Sequence, residues 1–555
     1  MSFDPSFSTH EVTNQVPAYA GRNLFHSDPL LIRLAQSAFE NETLGDFMEH
    51  GRICGAPETF EMARLANLHE PTLRTHDSQG RRFDQVDYHP AYHALMRRSF
   101  EAGLHCEIWD TDNALGGKRH LARAIKFFMS AQTENGHLCP ITMTNASLAA
   151  LGHAPDLLDF WSVKVRSRQY DHRFLPPDEK AGVTIGMGMT EKQGGTDVRA
   201  NTTHAVPAGA DLWRIVGHKW FFSAPMCDAF LILAQTGEAG SDEGQSCFLV
   251  PRHLPGGGVN ALHFQRLKDK LGNRSNASSE VEFQEAGGFL VGKAGAGVKT
   301  ILEMVKLTRL DCAVSSAALM RFALASAVHH CRHREVFGGP LIDKPLMQTV
   351  LADMAIDSAA ALALVMRLAR AFDREAEDGQ EAAYVRLMTP VIKYWVCKNA
   401  PAFVYEAMEC VGGNGYVEEG DLARAYREAP LNAIWEGSGN VMCLDVLRVL
   451  VRQPDALDAV IASIEADFGQ PYPAFTDVLT KLASASLEDS GAARILTEQL
   501  AMTAAAAALH AAAPGVLPEA FLVTRLGGQW RSTYGMLDSR FDARSIIDAI
   551  CPAEQ

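Results

Sequence analysis

A lone carboxylate, Glu436, stands in the stretch NAIWEGSGN, residues 432–440, between a tryptophan and a run of small residues. A carboxylate can take up or release a proton near neutral pH when its surroundings disfavour its charge. Most glutamates are instead solvated surface residues without such a role. This stretch alone leaves both interpretations open, so the other motifs must decide between them.

Two stretches near the middle of the chain have the composition of a ligand-binding surface. The loop MTEKQGGTDV, residues 189–198, offers main-chain N–H groups and the Thr190 and Thr196 hydroxyls to an anionic or carbonyl-rich ligand. An ordinary loop entering a strand would have the same composition. The stretch GHKWFFS, residues 217–223, is either strand core, where aromatics are common, or an aromatic wall for a flat ring, with Ser223 offering a hydrogen bond.

Two other patterns lack the residue spacing or the ligands of the binding sites that they suggest. In GKAGAGVKT, residues 292–300, Val298 separates the second glycine from Lys299, which turns the lysine by about 100° on a helix, away from a bound phosphate. We expect this stretch to connect the β region to the next helix. In HHCRH, His329 and His333 lie one helical turn apart, but no third ligand is arranged around them. We therefore predict a polar helix face there and no metal site.

Hydrophobic periodicity divides the chain into four parts. Residues 1–182 predict an N-terminal extension and helical domain, and residues 183–292 predict a β-barrel or sandwich of short strands between glycine-containing turns. Residues 293–450 carry long apolar helical patterns that predict a bundle. After a linker at 451–458, residues 456–555 are again helical and alanine-rich. A β domain between helical domains creates clefts in which small ligands and cofactors bind.

The composition is that of a large globular protein. The chain has 555 residues, 47% of them hydrophobic and 21% charged, which suggests three or four domains. The net charge of −15 argues against a general affinity for nucleic acid or anionic membranes. Eleven cysteines without a CxxC pair fit reduced thiols, and the N-terminus lacks the pattern of a secretory signal. We expect a soluble, cytoplasmic protein.

Four motifs occur in an order typical of one known family: TEKQGGTDV, GHKWFFS, REVFG at 334–338, and GGNGYVEE with WEGSG between 412 and 439. Together they resemble the acyl-CoA dehydrogenase family of flavoproteins. The resemblance implies an α+β multidomain fold with an N-terminal helical domain, a central β-barrel or sandwich and a four-helix bundle. Stretches such as NQVPAYAGRNLFHSD and LKDKLGNRSNAS are similar to the AidB-like branch, the bacterial alkylation-response proteins, which adds a C-terminal helical domain.

The resemblance implies that the chain binds FAD. The Thr190 position would meet the pyrimidine edge of the flavin, and Thr196 would lie near cofactor and ligand. Phe221 would pack on the isoalloxazine, and Ser223 would donate a hydrogen bond near flavin N5. The other implied contacts with FAD are Met187, Met189, Gly195, Phe222, Trp435, Ser438 and Asn440.

Four further residues match positions that reach the FAD of a neighbouring subunit. They are Arg334, Phe337, Gly412 and Gly413. A cofactor site shared in this way implies a homo-oligomer, typically a dimer or a dimer of dimers, the latter being a homotetramer.

Glu436 matches the catalytic base of the family. The base takes the α-proton of an acyl-CoA thioester while the β-hydrogen leaves as hydride to flavin N5, and desolvation beside Trp435 and the flavin would raise its pKa. Some members carry the base on the first bundle helix, just before an arginine. Here Thr308 precedes Arg309, so Glu436 is the only candidate in either position. The chain is thus predicted to be an FAD-dependent acyl-CoA dehydrogenase-like enzyme.

The AidB-like branch also suggests a different function, a protein that binds double-stranded DNA and limits alkylation damage. Residues 456–555 would supply most of that surface, yet they contain six basic and twelve acidic residues, a net charge of −6. Phosphate contacts provide most non-specific affinity for DNA, so this alternative requires the basic residues to cluster. The candidates are Arg525, Arg531, Arg540 and Arg544.

Overall fold

The computed structural model of the chain describes residues 9–111, 115–209, 211–237, 244–527, 533–537 and 539–553. Its elements follow the predicted order of helices, a β domain, long helices and a last helical group.

Helices dominate the N-terminal domain, and four of them begin with a proline, whose fixed φ suits the first helical turn. The helices are α1 (Pro29–Gln36), α2 (Asn41–Cys54), α3 (Pro57–Leu68), α4 (Pro90–Glu101), α5 (Arg119–Ala131), α6 (Leu138–Leu151) and α7 (Pro155–Val165).

The prediction of helices and loops alone for this domain is wrong at one place, because a hairpin separates α3 from α4. Its strands are β1 (Thr72–His76) and β2 (Arg82–Asp87), paired antiparallel. Neither β1 nor the start of β2 is buried, so their sequences lack the apolar alternation that marks a half-buried strand.

Seven strands form the β domain: β3 (Ile185–Gly188), β4 (His204–Pro207), β5 (Leu212–Ser223), β6 (Ala229–Gln235), β7 (Gln245–Pro251), β8 (Leu262–Leu267) and β9 (Ser278–Val291). The pairings β6–β4, β4–β5, β5–β9, β9–β7 and β7–β6 close a barrel, with β3 joined to β6 and β8 to β9. Of the two predicted alternatives, barrel and sandwich, the chain therefore forms the barrel.

The bundle consists of α8 (Gly297–His333), α9 (Pro345–Arg374), α10 (Gly379–Val411) and α13 (Gly439–Arg452). Between them lie the hairpin β10 (Glu335–Val336) and β11 (Gly339–Pro340) and the short helices α11 (Gly413–Tyr416) and α12 (Asp421–Glu428). Helices α8 and α9 are long and apolar enough to cross a membrane, but 94% and 89% of their most apolar windows are buried inside the protein. They are the core helices of the bundle.

A last group of helices follows the bundle: α14 (Ala456–Phe468), α15 (Pro473–Glu488), α16 (Ala493–Ala512), α17 (Val516–Phe521) and α18 (Ala543–Ile550). The connection from α13 to α14 occupies 453–455, so the linker is shorter than the predicted 451–458. Arg525 fixes this group to α9 through ion pairs with Asp353 at 2.7 Å and Asp357 at 2.8 Å.

A buried carboxylate, Glu134, joins the N-terminal domain to the β domain. It accepts hydrogen bonds from Asn67 Nδ2 at 3.0 Å and from Ser275 Oγ, in the loop between β8 and β9, at 2.7 Å. His137 Nδ1 lies 2.6 Å from it. Burial opposes ionisation, but the contacts with His137 and Asn67 outweigh it and hold the pKa of Glu134 at about 2. The charged carboxylate is therefore a fixed part of this interface.

Glu428, at the end of α12, is a second buried carboxylate near Glu134, and its titration predicts a pH-dependent stability. Burial, followed by the charge of Glu134, raises the pKa of Glu428 to about 7. The folded chain thus holds this proton up to about pH 7, whereas the unfolded chain releases it near pH 4.5, so stability falls as pH rises between those values.

We expect Glu428→Gln to remove this loss of stability. Thermal unfolding at pH 8 should show the variant more stable than the parent by about 2 kcal/mol, with little difference at pH 4. An equal difference between the two proteins at both pH values would contradict the assignment.

Candidate active site

Glu436 lies in the turn between α12 and α13, at a left-handed φ of 57° that is unusual for a residue other than glycine. Its side chain turns toward α8, where Thr308 Oγ1 donates a hydrogen bond to Glu436 Oε2 at 2.7 Å. The Thr308 position is the one at which some family members carry the base, so both candidate positions lie at one place in the fold.

Two buried cations hold this strained turn through its main chain. Lys393, on α10, donates to the Trp435 carbonyl at 2.7 Å and to the Gly437 carbonyl. Arg309 donates to the Glu436 carbonyl at 3.1 Å and pairs with Asp445 of α13 at 2.7 Å. Contacts from α8 and α10 therefore fix the direction in which the Glu436 side chain points.

The surroundings of Glu436 favour its protonated form. Burial raises the pKa of the Glu436 carboxyl, and the hydrogen bond from Thr308 and the charges of Arg309 and Lys393 oppose that rise in part. A base with a raised pKa can accept a proton from carbon near neutral pH more readily than a solvated glutamate can.

Removing the Thr308 hydroxyl should raise the pKa of Glu436 further. In Thr308→Val we expect the rising limb of the pH profile for flavin reduction to move to higher pH, because the carboxylate must be deprotonated to act. The rate at pH 7 should fall about fivefold, in line with the loss of one hydrogen bond. Stopped-flow reduction from pH 5.5 to 9 measures both effects, and a profile that keeps its position would contradict them.

In the β domain, a buried ion pair supports the predicted ligand loop. Glu191 Oε1 lies 2.8 Å from Lys219 Nζ, and neither side chain has any exposed surface. Glu191 also accepts hydrogen bonds from the main-chain N–H groups of Thr202 and Thr203, and the Thr190 carbonyl accepts from the Trp220 N–H at 2.8 Å. These contacts fix the loop against β5.

Neighbouring aromatics of β5 face opposite sides of the sheet. The Phe221 ring is 51% exposed, so it can serve as the predicted wall for a flat ring. Phe222 is fully buried and packs on Phe230 at 4.1 Å between ring centroids. The Phe222 side chain therefore points into the barrel, because successive residues of a strand point to opposite faces, and its contact with the cofactor stays a prediction. On the Phe221 side of the strand, only the main chain of Phe222 is available for such a contact.

Cys139, at the start of α6, connects Ser223 to Glu436. Burial, then the charge of Glu436, raises the pKa of the Cys139 thiol to about 12, while hydrogen bonds with Asn276 and Ser223 oppose the rise. The hydroxyl of Ser223 also lies 3.2 Å from the Ser278 hydroxyl. Through Cys139, β5, α6 and the Glu436 turn are thus neighbours in the structure.

The remaining predicted residues of the loop and turn are partly buried or exposed. Met187 and Met189 are partly buried at the end of β3, and Gly195 and Thr196 are exposed in the loop that follows. Trp435 is partly buried and donates from Nε1 to Asn432 at 2.8 Å. Ser438 and Asn440 are exposed at the start of α13.

Arg334, Phe337, Gly412 and Gly413 lie far from Glu436. Arg334 follows the last residue of α8, about 39 Å from Thr308 along the helix axis at ~1.5 Å per residue. Gly412 follows the last residue of α10, about 28 Å from Lys393 along that axis at ~1.5 Å per residue. The Phe337 ring, at the tip of the β10–β11 hairpin, is 99% exposed. In one chain these residues cannot contact the flavin ring that Glu436 would face.

Three family profiles match consecutive parts of the chain. The N-terminal domain of the adaptive response protein AidB matches residues 14–172, the acyl-CoA dehydrogenase middle domain residues 186–286, and the acyl-CoA dehydrogenase C-terminal domain residues 295–451. AidB of Escherichia coli K12 is 50% identical over 457 residues, which cover 81% of this chain and 82% of that protein. The chain belongs to the acyl-CoA dehydrogenase family.

Two similarities in Caenorhabditis elegans agree with this assignment. Acyl-CoA dehydrogenase family member 11 is 32% identical over 80% of this chain and 74% of its own length. The crystal structure of ACDH-11 in complex with C11-CoA superposes with a TM-score of 0.85 at 26% identity, over 100% of this chain and 95% of that one. The predicted fold and the AidB-like branch are confirmed.

FAD is the cofactor of this family, and the residues present fit it. Phe221 offers an open aromatic face beside the Ser223 hydroxyl. At Gly195 a Cβ atom would lie 2.4 Å from Thr190 Oγ1, so the glycine allows the loop to approach that hydroxyl closely. The assignments of single residues to single FAD atoms stay predictions.

Sequence reasoning missed three of the side chains that build the site. Lys393 and Cys139 received no role, although a lysine inside the apolar helical stretch PVIKYWVC is an unusual residue that could have drawn attention. Glu191 lies inside a motif that was interpreted only through its hydroxyls and glycines. The contacts that these three side chains make in the site are with residues distant in sequence, so the sequence does not show them.

The histidine pattern at the end of α8 has a structural role. Both ring nitrogens of His329 contact the N-terminal segment, Nε2 with the Pro17 carbonyl at 2.8 Å and Nδ1 with Arg22 at 2.8 Å. Among the residues that the structure describes, no group of three or more His, Cys, Asp or Glu side chains could hold a metal ion.

Proposed function

We propose that the protein oxidises an acyl-CoA thioester to the α,β-unsaturated thioester, with Glu436 as the base. The observation that supports this most directly is the position of Glu436 itself. It is a partly buried carboxylate with a raised pKa, held in a strained turn by two buried cations, in a chain of this family. One C–H bond at each of the α and β carbons breaks, and a C=C bond forms.

The residues of the chain divide this work between them. Glu436 takes up the α-proton and holds it on its carboxyl group, while Lys393 and Arg309 keep the turn in place as that charge is neutralised. Thr308 fixes the orientation of the carboxylate. FAD, when bound, supplies the acceptor for the β-hydrogen and its electron pair. A substrate of this class agrees with the C11-CoA in the ACDH-11 complex.

We also propose that the active protein is a homo-oligomer, in the cytoplasm. The separation of about 39 Å along α8 between Thr308, which contacts Glu436, and Arg334 at ~1.5 Å per residue supports a site completed by a neighbouring subunit. The exposed Phe337 ring fits burial against such a neighbour. All eleven cysteines are free and buried, as expected of a protein kept in a reducing compartment.

The reaction can be tested by titrating the FAD-loaded protein, without oxygen, against short, branched, long and aromatic acyl-CoAs. Loss of the flavin absorbance with one acyl class would support the proposal and identify the substrate class. A bound flavin that no thioester reduces would overturn it.

The DNA-binding alternative receives no support from the arginines on which it depends. Arg525 and Arg544 each pair with two aspartates, at distances between 2.7 and 2.9 Å. Arg540 lies over the Phe541 ring, and Arg531 is outside the described residues. Arginines that are already paired offer little charge to phosphate groups.

A further inference from the structure

A cavity of about 430 Å³ lies between the N-terminal domain and the β-barrel, and the proposed reaction does not yet use it. This volume falls within the range of small-molecule sites, about 300–1,000 Å³. Its walls come from β2, α4, the segment after α7, and the turn between β5 and β6. We call it the tyrosine chamber, after Tyr88, Tyr92 and Tyr170, which line it together with His93 and His172.

Flat rings form one part of the walls of the tyrosine chamber, and charged side chains such as Asp87, Asp171 and Lys180 form another. Tyr88 and Tyr92 are stacked, with 4.4 Å between ring centroids and 18° between planes. His93 lies 4.2 Å from His172 between centroids, and its Nδ1 is 2.9 Å from the Tyr170 hydroxyl. Aromatic walls of this kind favour a flat ring over a flexible alkyl chain, because rings stack in a defined geometry.

The Tyr92 hydroxyl, in the wall of the chamber, is available for a hydrogen bond. Tyr92 is only 4% exposed, and within the described residues its hydroxyl has no hydrogen-bond partner, in contrast to that of Tyr170. Leaving a buried hydroxyl without a partner costs free energy. Burial, followed by the neighbouring Tyr88 and Tyr170, raises the pKa of Tyr92 well above its ordinary value, so the group is a neutral donor.

Two residues that line the chamber are sequence neighbours of residues near the proposed active site. Pro140 and Ala224, which follow Cys139 and Ser223 in the chain, both line the chamber. Cys139 is close enough to Glu436 and to Tyr92 to interact electrostatically with both. Cys139 therefore lies near both Glu436 and the wall of the chamber.

We propose that the tyrosine chamber receives the far end of the acyl group, and that it selects an acyl group ending in a flat ring with a hydrogen-bonding substituent, which the Tyr92 hydroxyl recognises. This inference rests on the proposed function, since it takes the ligand to be an acyl-CoA. To the proposed function, this inference adds the class of acyl group that the protein accepts.

Calorimetric titration of the FAD-loaded Glu436→Gln protein, in which flavin reduction is expected to be about a thousandfold slower, tests the proposal through binding. The probes are butyryl-CoA, nonanoyl-CoA, 3-phenylpropionyl-CoA and 3-(4-hydroxyphenyl)propionyl-CoA. The second and third have the same number of acyl carbons and differ in the ring. We expect the phenyl thioester to bind about tenfold tighter than nonanoyl-CoA, and the hydroxyphenyl thioester about fivefold tighter again.

When Tyr92→Phe is added to Glu436→Gln, the hydroxyphenyl thioester should bind no tighter than the phenyl thioester. The phenyl thioester should still bind tighter than nonanoyl-CoA. This substitution removes a hydroxyl without a partner, so no loss of thermal stability is expected. Tyr405→Phe, an exposed tyrosine of α10, is the matched control and should keep both gains.

The possible results separate this proposal from the reaction itself. A ring preference, together with a further gain from the substrate hydroxyl that is lost in Tyr92→Phe, supports the chamber, even if no thioester reduces the flavin of the protein with Glu436 intact. Flavin reduction by butyryl-CoA without any ring preference supports the reaction and overturns the chamber. Equal binding of nonanoyl and phenylpropionyl thioesters, or no binding of either, overturns it as well. If the Tyr92 variant does not fold, the comparison of the four thioesters still shows whether the protein prefers an acyl group that ends in a ring.

Discussion

Replacing Glu436 by glutamine is expected to slow the reduction of bound flavin by an acyl-CoA about a thousandfold. A positioned general base contributes roughly 10²–10⁴ to a rate, and glutamine cannot accept the α-proton. The amide keeps the size of the side chain and an oxygen that can accept the hydrogen bond from Thr308. Stopped-flow measurement under anaerobic conditions, at saturating thioester, gives the rate of the chemical step directly.

The controls separate loss of the base from loss of the fold. FAD content and thermal midpoint should match the parent, because the Lys393 and Arg309 contacts go to main-chain carbonyls that the substitution keeps. Glu58→Gln, at an exposed position of α3, should leave the rate unaltered. A Glu436→Gln protein that still reduces within tenfold of the parent would remove Glu436 from the mechanism.

The site was predictable as far as its parts are local in sequence. Glu436, the ligand loop and the aromatic strand each lie within ten residues, and their order along the chain identified the family. What holds Glu436 in place was not predictable, because Lys393 and Arg309 come from α10 and α8 and act on main-chain carbonyls. No pattern of residue types indicates which carbonyl a buried cation will contact.

The fold shows the same division between local and distant information. Long apolar periods located α8, α9 and α10, because a buried helix repeats its pattern over many turns. The closure of the barrel depends on the pairing of β6 with β7, and strands that are buried on both faces carry no alternation from which a partner could be inferred. The hairpin β1–β2 was missed for the opposite reason, since most of its surface is exposed.

Removing one partner of the Lys219–Glu191 pair is expected to have the largest effect on stability. Lys219→Met leaves the Glu191 carboxylate buried without its counter-charge and should lower the free energy of unfolding by about 3–5 kcal/mol. At present the pair holds the carboxylate ionised: burial opposes its charge, but Lys219 and the Thr202 and Thr203 hydrogen bonds bring the pKa of Glu191 to about 2. The loop that carries Thr190 depends on that carboxylate, so FAD content should fall with stability.

A second substitution distinguishes an unpaired charge from a packing defect. In Lys219→Met combined with Glu191→Gln, no buried charge remains and the amide oxygen still accepts from the Thr202 N–H, so more than half of the lost stability should return. Arg64→Met, which breaks the exposed Arg64–Glu61 pair of α3, is the matched control and should cost far less. Urea unfolding of the four proteins at pH 7 makes the comparison. If Lys219→Met costs no more than Arg64→Met, the pair does not hold the loop, and the support for the ligand site must come from the β5 pairing alone.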